Sequence, residues 1–300
     1  MAVIEHVYGN TYCIVTPSIR IPLYRLESGG VVLMDSGFPR EGDELQEALD
    51  GAGLRVRALL TSHAHYDHIG NHNRFRERYG AEIYMSAFDA GIAQTPLTLQ
   101  ACFYTSSVTE LEQTYPYMIC CADRVLSPEE GTVTIDGAVF TILHLPGHAH
   151  SHWGYVTPDN VAYLGDLLMG EKELEAMSLM FCQDWRETLR SMDRLCAVSC
   201  QAYILAHNGV TRELPSLVQL NRQAIARQHE WVLSLLDDWR SRQEVIALMM
   251  RERCHRVSKE RVRLVARLAS SALNYLEDTG RLEFRVEDGV LYYRNAEGKG

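Results

Sequence analysis

The most constraining feature of this 300-residue chain is a group of histidines directly after a short apolar run. Residues 57–61 are typical of a buried strand, and residues 63–68 then spell His-Ala-His-Tyr-Asp-His. Imidazole nitrogens and carboxylate oxygens are the ligands that zinc and similar divalent ions prefer. If the segment is extended, His63 and His65 point the same way, towards one ion. Asp67 and His68 follow in a turn that can face a second ion, whereas a histidine-rich loop without metal is the weaker interpretation.

Three further polar residues stand at the ends of predicted strands. His148 follows residues 138–145, Asp166 follows residues 161–164, and His207 follows residues 202–205. Taken singly, they are explained as a turn residue, a helix cap and an exposed polar side chain. In a layered α/β domain, however, strand ends that face one edge are where sites are assembled. Because the three occur together, in order after the first cluster, ligands are the better explanation.

The chain has two parts with different patterns. The first two hundred residues alternate short strand-like runs, turns and occasional amphipathic helices, which predicts a layered α/β domain. Residues 87–123 interrupt this rhythm and are rich in aromatic side chains, so we interpret them as a partly helical insertion. We expect a domain boundary near residue 210, which gives domains of residues 1–210 and 211–300, with a possible second boundary near residue 240.

The C-terminal part is dominated by helical patterns. Residues 217–239, 243–252 and 259–278 are candidate helices with apolar side chains near helical spacing. Two strand-like runs, 282–286 and 290–293, then flank a turn at Asp288-Gly289. Helices followed by a small two-stranded hairpin have the outline of a winged helix.

Together these motifs resemble those of the metallo-β-lactamase-fold hydrolases. The resemblance covers roughly residues 5–210 and rests on the motif at 63–68, on Pro146-Gly147-His148, on Gly165-Asp166 and on His207. It implies a four-layer αββα sandwich with a dinuclear metal site along one edge. It further implies one metal held by His63, His65 and His148, a second held by Asp67, His68 and His207, and a bridging Asp166. The C-terminal part resembles the winged-helix extension of some members of that family.

Such a site is suited to hydrolysis through a metal-bound hydroxide. Two cations that share a water lower its pKa from 15.7 towards about 7. One of them can also polarise a carbonyl or phosphoryl oxygen and stabilise the charge that develops there. Asp67 is the candidate catalytic residue, because it can orient the water or take its proton besides binding metal. The ligand set suits two zinc ions, and iron or manganese accept the same atoms.

The substrate is predicted only by class. The aromatic and methionine side chains of residues 87–118 and 169–180 suit an apolar lid over the metals, and packed core is an equal interpretation. We also expect no concentration of Lys or Arg near the ligands that could grip a phosphate backbone. These features favour a small-molecule acyl substrate, and hence hydrolysis of a carboxylic ester, thioester or lactone.

Two alternative functions remain. Residues 240–295 contain 12 Lys and Arg against 8 Asp and Glu, which allows a phosphodiesterase or ribonuclease assisted by the basic C-terminal domain. Nucleic acid is not the favoured partner, because acidic residues crowd the last helix end and the hairpin: Glu277, Asp278, Glu283, Glu287 and Asp288. A structural cap or a dimerisation element is the simpler role for this domain. The other alternative, a non-catalytic regulator, is disfavoured by the complete ligand set.

Composition limits the location and the partners. A formal net charge of −10 opposes a chain devoted as a whole to nucleic acid. The longest apolar runs are far shorter than the roughly 20 residues of a membrane span, and no secretory signal is recognisable, so we expect no membrane partner. None of the eight cysteines forms a CxxC pair. We therefore expect buried, reduced thiols and a cytoplasmic location, with a homodimer through residues 217–239 left open.

Overall fold

Several strands of the first two hundred residues are buried along their whole length, so both faces of their sheets must be covered. The computed structural model describes residues 2–103, 106–207 and 209–296. In it, two sheets share an apolar core to which both contribute, including Leu33 and Leu59 from one sheet and Phe140, Tyr155 and Ile204 from the other. The last four residues of the predicted C-terminal domain, 297–300, lie outside the described residues.

The first sheet carries the histidine motif at one of its edges. Its strands are β1 (Val3–Tyr8), β2 (Thr11–Val15), β3 (Arg20–Arg25), β4 (Val31–Met34), β5 (Val56–Leu60), β6 (Glu82–Ser86) and β7 (Arg124–Leu126), in that spatial order. The pairs β1–β2, β2–β3 and β3–β4 are antiparallel, whereas the pairs β4–β5, β5–β6 and β6–β7 are parallel. The carboxyl ends of the parallel strands therefore meet at one edge. β1 and β7 were not predicted from the sequence.

The second sheet brings the distant part of the chain to the same edge. Its strands are β8 (Thr132–Ile135), β9 (Ala138–His144), β10 (Trp153–Val156), β11 (Val161–Tyr163), β12 (Ala202–Leu205) and β13 (Gly209–Thr211), in the spatial order β13-β12-β11-β10-β9-β8. The Tyr155 hydroxyl donates to the carbonyl of Thr61 (2.7 Å), and the Trp153 amide donates to that of Ser62 (2.8 Å). These bonds tie β10 to the end of β5.

Helices lie between the strands and inside the predicted insertion. They are α1 (Gly42–Gly51), α2 (His72–Tyr79), α3 (Ala87–Ile92), α4 (Pro96–Gln100), α5 (Val108–Thr114), α6 (Glu171–Ala176) and α7 (Trp185–Leu195). The insertion is partly helical, as expected, since it contains α3, α4 and α5. No helix of the described residues combines the length and the apolar character needed to cross a membrane.

The C-terminal part has the winged-helix outline that its sequence predicts. Its elements are α8 (Leu214–Ser234), β14 (Arg240–Ser241), α9 (Arg242–Arg253), α10 (Lys259–Asp278), β15 (Leu282–Glu287) and β16 (Val290–Asn295), with the sheet order β14-β16-β15. α10 has the predicted bounds, because the Ser258 side chain caps its start and Gly280 follows its end. α8 ends at Ser234 rather than at 239. The boundary near residue 210 remains a prediction, and α8 itself packs Leu217 with the second sheet and Val232 with α9 and α10.

The expectation of buried thiols is only partly correct. Cys13, Cys120 and Cys182 are buried, whereas Cys121 and Cys196 are exposed. Cys196 follows α7 as its C-cap, and Cys121 lies in the loop before β7, where short apolar stretches run along the surface. The eight cysteines are free thiols.

Candidate metal centre

The loop after β5 and the segments after β9, β11 and β12 bring the predicted ligands together in two groups. One group consists of His63, His65 and His148, and the other of Asp67, His68, Asp166 and His207. Within each group, one nitrogen or oxygen atom of every member lies within 4.8 Å of those of the others. All seven residues that the sequence singled out are therefore brought together, although 144 positions separate His63 from His207.

The first group is a cluster of three imidazoles. Nδ1 of His65 lies 2.8 Å from Nε2 of His63 and 3.1 Å from Nε2 of His148. Burial and the neighbouring imidazoles lower the pKa of His63 and of His65 well below the ordinary value. Burial also lowers the pKa of His148. The three rings are consequently neutral at physiological pH, which is the protonation state in which an imidazole binds metal.

The second group combines imidazoles with carboxylates. Burial alone would lower the pKa of His68 and His207, but the carboxylates of Asp166 and Asp67 raise the first well above its ordinary value and the second to about 10. Burial alone would raise the pKa of Asp166, yet the imidazoles around it hold that pKa well below its usual range. The two carboxylates of this second group therefore stabilise a positive charge placed between them.

The spacing of the second group fits a shared cation. Nitrogen and oxygen ligands about 2.0–2.2 Å from a tetrahedral ion lie about 3.3–3.6 Å from one another. Nε2 of His207 is 3.5 Å from Oδ2 of Asp67 and 3.5 Å from Oδ1 of Asp166, and Nε2 of His68 is 3.4 Å from Oδ2 of Asp166. Charge-assisted hydrogen bonds are shorter, about 2.7–2.9 Å. Within the described residues, His68 Nε2 and Asp166 Oδ1 are buried without a hydrogen bond, a costly state that a cation relieves.

Asp166 is placed between the two groups. Its Oδ2 atom lies 3.3 Å from Nε2 of His148 in the first group and 3.4 Å from Nε2 of His68 in the second. Strand β11 ends two residues before the Gly165-Asp166 turn, and the Asp166 amide donates to Nε2 of His152 (3.0 Å). Gly165 has a φ of +50°, and a Cβ there would lie 2.5 Å from the same His152 nitrogen. A glycine is therefore needed for this turn.

Two further histidines, His150 and His152, follow His148 in the sequence and belong to neither ligand group. His152 is fully buried and supports Asp166 as described, so it belongs to the surroundings of the site. His150 is exposed and contacts the ring of Phe88, with 5.8 Å between centroids.

Asp35 is the main residue of this centre that sequence reasoning missed. Its buried carboxylate accepts hydrogen bonds from the Ser62 amide (2.7 Å), the Ser62 hydroxyl (2.6 Å), the Tyr163 hydroxyl (2.6 Å) and Nδ1 of His68 (2.7 Å). A donating Nδ1 leaves Nε2 of His68 as the metal-binding nitrogen. The available signal was its position directly after the apolar run 31–34, at the end of the strand that lies next to β5 in the sheet.

A second buried aspartate holds the backbone of the motif. Oδ1 of Asp89 accepts from the Ala64 amide (3.0 Å), and its Oδ2 accepts from the Ser86 hydroxyl (2.7 Å). Asn71, at the other end of the loop, donates to the carbonyls of Ser36 and Phe38, each at 2.8 Å. The loop is therefore fixed by Asp89 of α3 and by the backbone of the segment after β4.

A cavity of about 650 Å³ opens over the metal centre. Its floor includes His65, Asp67, His148, Asp166 and His207. Both segments that the sequence offered as an apolar lid contribute to its walls, namely Phe103 and Tyr115 from the insertion and Met169, Leu179 and Phe181 from the α6 region. The centre thus lies at the bottom of a largely aromatic and aliphatic pocket.

The expectation that no concentration of Lys or Arg lies near the ligands is wrong. Arg261, Arg263 and Arg267 line the same cavity. They stand on α10, more than fifty residues after His207 in the sequence, so only the packing of the C-terminal helices over the site brings them there. The sequence near the ligands therefore could not predict these arginines.

The family follows from the match of the chain to known proteins. Residues 23–207 match the family model described as the metallo-beta-lactamase superfamily. Because this match spans more than half of the chain, the protein belongs to the metallo-β-lactamase superfamily, as the motifs predict. The fold and the His/Asp clusters together imply divalent metal ions, typically zinc.

The curated relatives of the chain include proteins named as hydrolases and thioesterases. A hydroxyacylglutathione hydrolase of Haemophilus influenzae is 30% identical over 129 residues, 43% of this chain and 57% of that protein. An atrochrysone carboxyl ACP thioesterase of Aspergillus fumigatus is 25% identical over 68% of this chain and 41% of its own length. The chain thus spans about half the length of these relatives. A probable metallo-hydrolase of Bacillus subtilis is 24% identical over 66% of this chain and 80% of its own.

Solved structures extend the fold match to the C-terminal part. A metallo-beta-lactamase family protein from Thermus thermophilus has a TM-score of 0.71 at 20% identity and covers 98% of both chains. A beta-lactamase domain protein from Burkholderia ambifaria has a TM-score of 0.72 at 20% identity, over 98% of this chain and 93% of that chain. At this identity the likeness shows the fold, which is the predicted metallo-β-lactamase sandwich.

Proposed function

We propose that the protein is a dinuclear metal-dependent hydrolase of acyl thioesters, with carboxylic esters and lactones as related substrates. The observation that carries the proposal is the pair of ligand groups, joined by Asp166, at the floor of an aromatic cavity. The hydroxyacylglutathione hydrolase and the carrier-protein thioesterases among the relatives favour a thioester over the other acyl substrates.

In this proposal each group holds one metal ion. His63, His65 and His148 hold the first, Asp67, His68 and His207 hold the second, and Asp166 contacts both. Bound divalent ions would lower the pKa of a water to about 7 and would act as a Lewis acid towards the substrate carbonyl. Zinc suits these ligands best, since both groups offer imidazole nitrogens.

The protein side chains supply position and proton transfer. Asp67 Oδ2 lies 3.5 Å from His207 Nε2 at the cavity floor, where it can orient the attacking water and accept its proton. Imidazoles and burial act in opposite directions on Asp67, and its pKa is lowered overall, so it is an ionised acceptor at neutral pH. The aromatic walls bind the apolar acyl chain and exclude bulk water, which strengthens the electrostatic interactions at the floor.

A phosphodiesterase or ribonuclease is the second candidate. The observation in its favour is the exposed segment 251–261, which carries five Lys or Arg against two Glu and borders the cavity. The aromatic walls suit an acyl chain better than a polynucleotide backbone, so the thioester proposal is preferred. A small-molecule acyl compound is accordingly the proposed partner.

The test compares metal content and turnover on a substrate panel. Purified protein is assayed by mass spectrometry for bound metal and then with thioesters, lactones, a phosphodiester and single-stranded RNA. We expect about two metal ions per chain and fastest hydrolysis of a thioester. Asp67→Ala and His63→Ala should each lower the metal content and slow hydrolysis at least 100-fold, because each removes a predicted ligand.

The matched control is His6→Ala, which removes an exposed histidine of β1 that lies outside both groups. This variant should keep its metal and its rate. Thioester hydrolysis at the original rate by protein free of metal would refute the proposal. Cleavage of RNA with a steep salt dependence and no thioester turnover would select the second candidate.

A further inference from the structure

The first half of α10 forms one wall of the cavity, although it follows the ligand motifs by more than fifty residues in the sequence. Ser258, Arg261, Arg263 and Arg267 of this helix line the cavity whose floor is the metal centre. Arginine is the side chain best suited to carboxylates and phosphates, because its planar guanidinium offers several N–H donors in a fixed arrangement. The metal centre needs none of these residues, and the proposed function does not use them.

Arg267 is held near the metal centre by two aromatic rings. Its Cζ atom lies 5.1 Å from the ring centroid of Phe103 and 5.0 Å from that of Phe181. The Phe181 ring in turn packs on His65 and His148, with centroid distances of 5.6 and 5.4 Å. One phenyl ring therefore separates the guanidinium from two predicted ligands. Contacts with two rings also restrict its orientation, so less conformational entropy is lost when an anion binds.

Arg263 has a different role from Arg267. Its Nη1 atom donates to Oε1 of Glu110 (2.5 Å) and to the hydroxyl of Ser106 (2.9 Å), and Lys259 donates to the same Glu110 oxygen (3.0 Å). These bonds attach α10 to α5 and satisfy the Glu110 carboxylate. Arg263 thus holds the wall in place.

Arg261 stands at the exposed mouth of the cavity. Within residues 2–103, 106–207 and 209–296, no carboxylate forms an ion pair with it. Glu260, its neighbour, is engaged at the start of α10, where hydrogen bonds from its own backbone amide and from Ser258 lower its pKa. The positive end of the helix dipole adds to the charge of Arg261. The acidic residues Glu110, Glu173 and Glu260 also line the cavity, and Glu110 is bonded to Arg263 and Lys259.

We propose that Arg261 and Arg267 form an anion-binding subsite that selects thioesters whose thiol portion carries a carboxylate or a phosphate. This inference rests on the proposed function and names the substrate class more closely. One kind of thiol carrier serves many acyl groups, so two positive charges on the same cavity wall can recognise the thiol portion whatever the acyl group. The subsite lies away from the scissile bond and contributes to binding in the ground state and in the transition state alike.

The experiment uses two pairs of substrates with the same acyl group. Thioesters of N-acetylcysteine and N-acetylcysteamine differ only by a carboxylate, and those of 4′-phosphopantetheine and pantetheine differ only by a phosphate. The metal-loaded protein is compared with Arg267→Met, which keeps an unbranched apolar stem, with Arg261→Gln, and with the control Arg227→Gln. Arg227 is an exposed arginine of α8 that does not line the cavity, so its removal changes the net charge alone.

We expect wild-type protein to prefer the charged member of at least one pair about tenfold in kcat/KM. Arg267→Met and Arg261→Gln should each reduce this preference at least threefold, mainly through KM, because uniform binding is lost. Arg227→Gln should retain it. Discrimination in the phosphate pair or in the carboxylate pair identifies which anion the subsite takes. Thermal unfolding checks that Arg267→Met is folded, and the exposed Arg261→Gln keeps the test valid if it is not.

Calorimetry separates this inference from the proposed function. Titration of 4′-phosphopantetheine against pantetheine, and of N-acetylcysteine against N-acetylcysteamine, measures anion binding without turnover. If no thioester is hydrolysed, the proposed function fails, while a tenfold tighter Kd for an anionic thiol, lost in the arginine variants, still supports the subsite. Equal affinity and equal kcat/KM within both pairs would overturn it. So would an equal loss of preference in Arg227→Gln, which would indicate general charge attraction.

Discussion

Replacing Asp35 by asparagine tests how the protein prepares His68 for metal binding. The carboxylate of Asp35 is inaccessible to solvent and accepts four hydrogen bonds, two from Ser62, one from Tyr163 and one from Nδ1 of His68. An amide of the same size keeps one accepting oxygen and places a donating NH₂ group against donors. The substitution therefore removes acceptors without creating a cavity.

The magnitude follows from the number of bonds lost. If two of the four bonds fail, and hydrogen bonds to a charged group contribute about 1.5–3 kcal/mol each, the free energy of unfolding falls by about 3–6 kcal/mol. Loss of a partner that orients a ligating histidine weakens metal affinity about 10–100-fold, or about 1.4–2.7 kcal/mol. The loss should be concentrated in the group that contains His68.

Competition with a chromophoric chelator measures both metal affinities, and thermal unfolding measures stability. We expect Asp35→Asn to keep one metal near its original affinity and to bind the other about 10–100-fold more weakly. Asp50→Asn is the control, since Asp50 is an exposed aspartate that is bonded to Tyr79 and Arg78 and belongs to neither ligand group nor the cavity lining. Unchanged affinity for both metals in a folded Asp35→Asn protein would refute this reasoning.

Two further predictions concern stability. Burial lowers the pKa of His229, which stacks on Tyr275, from 6.5 to about 4. As the pH falls, this histidine is protonated in the unfolded chain before it is protonated in the folded protein. The stability present above about pH 6.5 is therefore lost as the pH falls towards 4. Unfolding of metal-loaded protein between pH 7 and pH 5 should therefore lose about 2 kcal/mol more in wild type than in His229→Phe, and equal losses would contradict this. Gly147 has a φ of +138°, and a Cβ there would overlap Thr188, so Gly147→Ala should cost about 2–5 kcal/mol and reduce metal content through His148. Gly51→Ala, where a Cβ meets no atom within 4 Å, is its control, and equal melting temperatures of the two variants would disprove the steric argument.

The residues of the proposed metal centre could be predicted from the sequence because each follows a local pattern. His63, His148, Asp166 and His207 each follow shortly after an apolar run of strand length. A polar residue in such a position can be recognised from the neighbouring sequence alone, without any information about distant contacts. The bounds of α10 were equally local, since a capping Ser258 and a terminal Gly280 enclose it. β1 and β7 escaped prediction because β1 is an exposed edge strand and β7 is only three residues long.

The tertiary structure alone decided what surrounds those residues. Asp35 meets Tyr163 across the two sheets, and Arg267 reaches Phe181 from a helix that begins fifty residues after the last predicted ligand. Such contacts join positions that no period of helix or strand relates, so they exist only once the sheets and the C-terminal helices have packed. The chemistry of the proposed ligands is therefore local to the sequence, whereas packing decides their support and the charge of the cavity wall, because hydrogen bonds and ion pairs depend on distance in space.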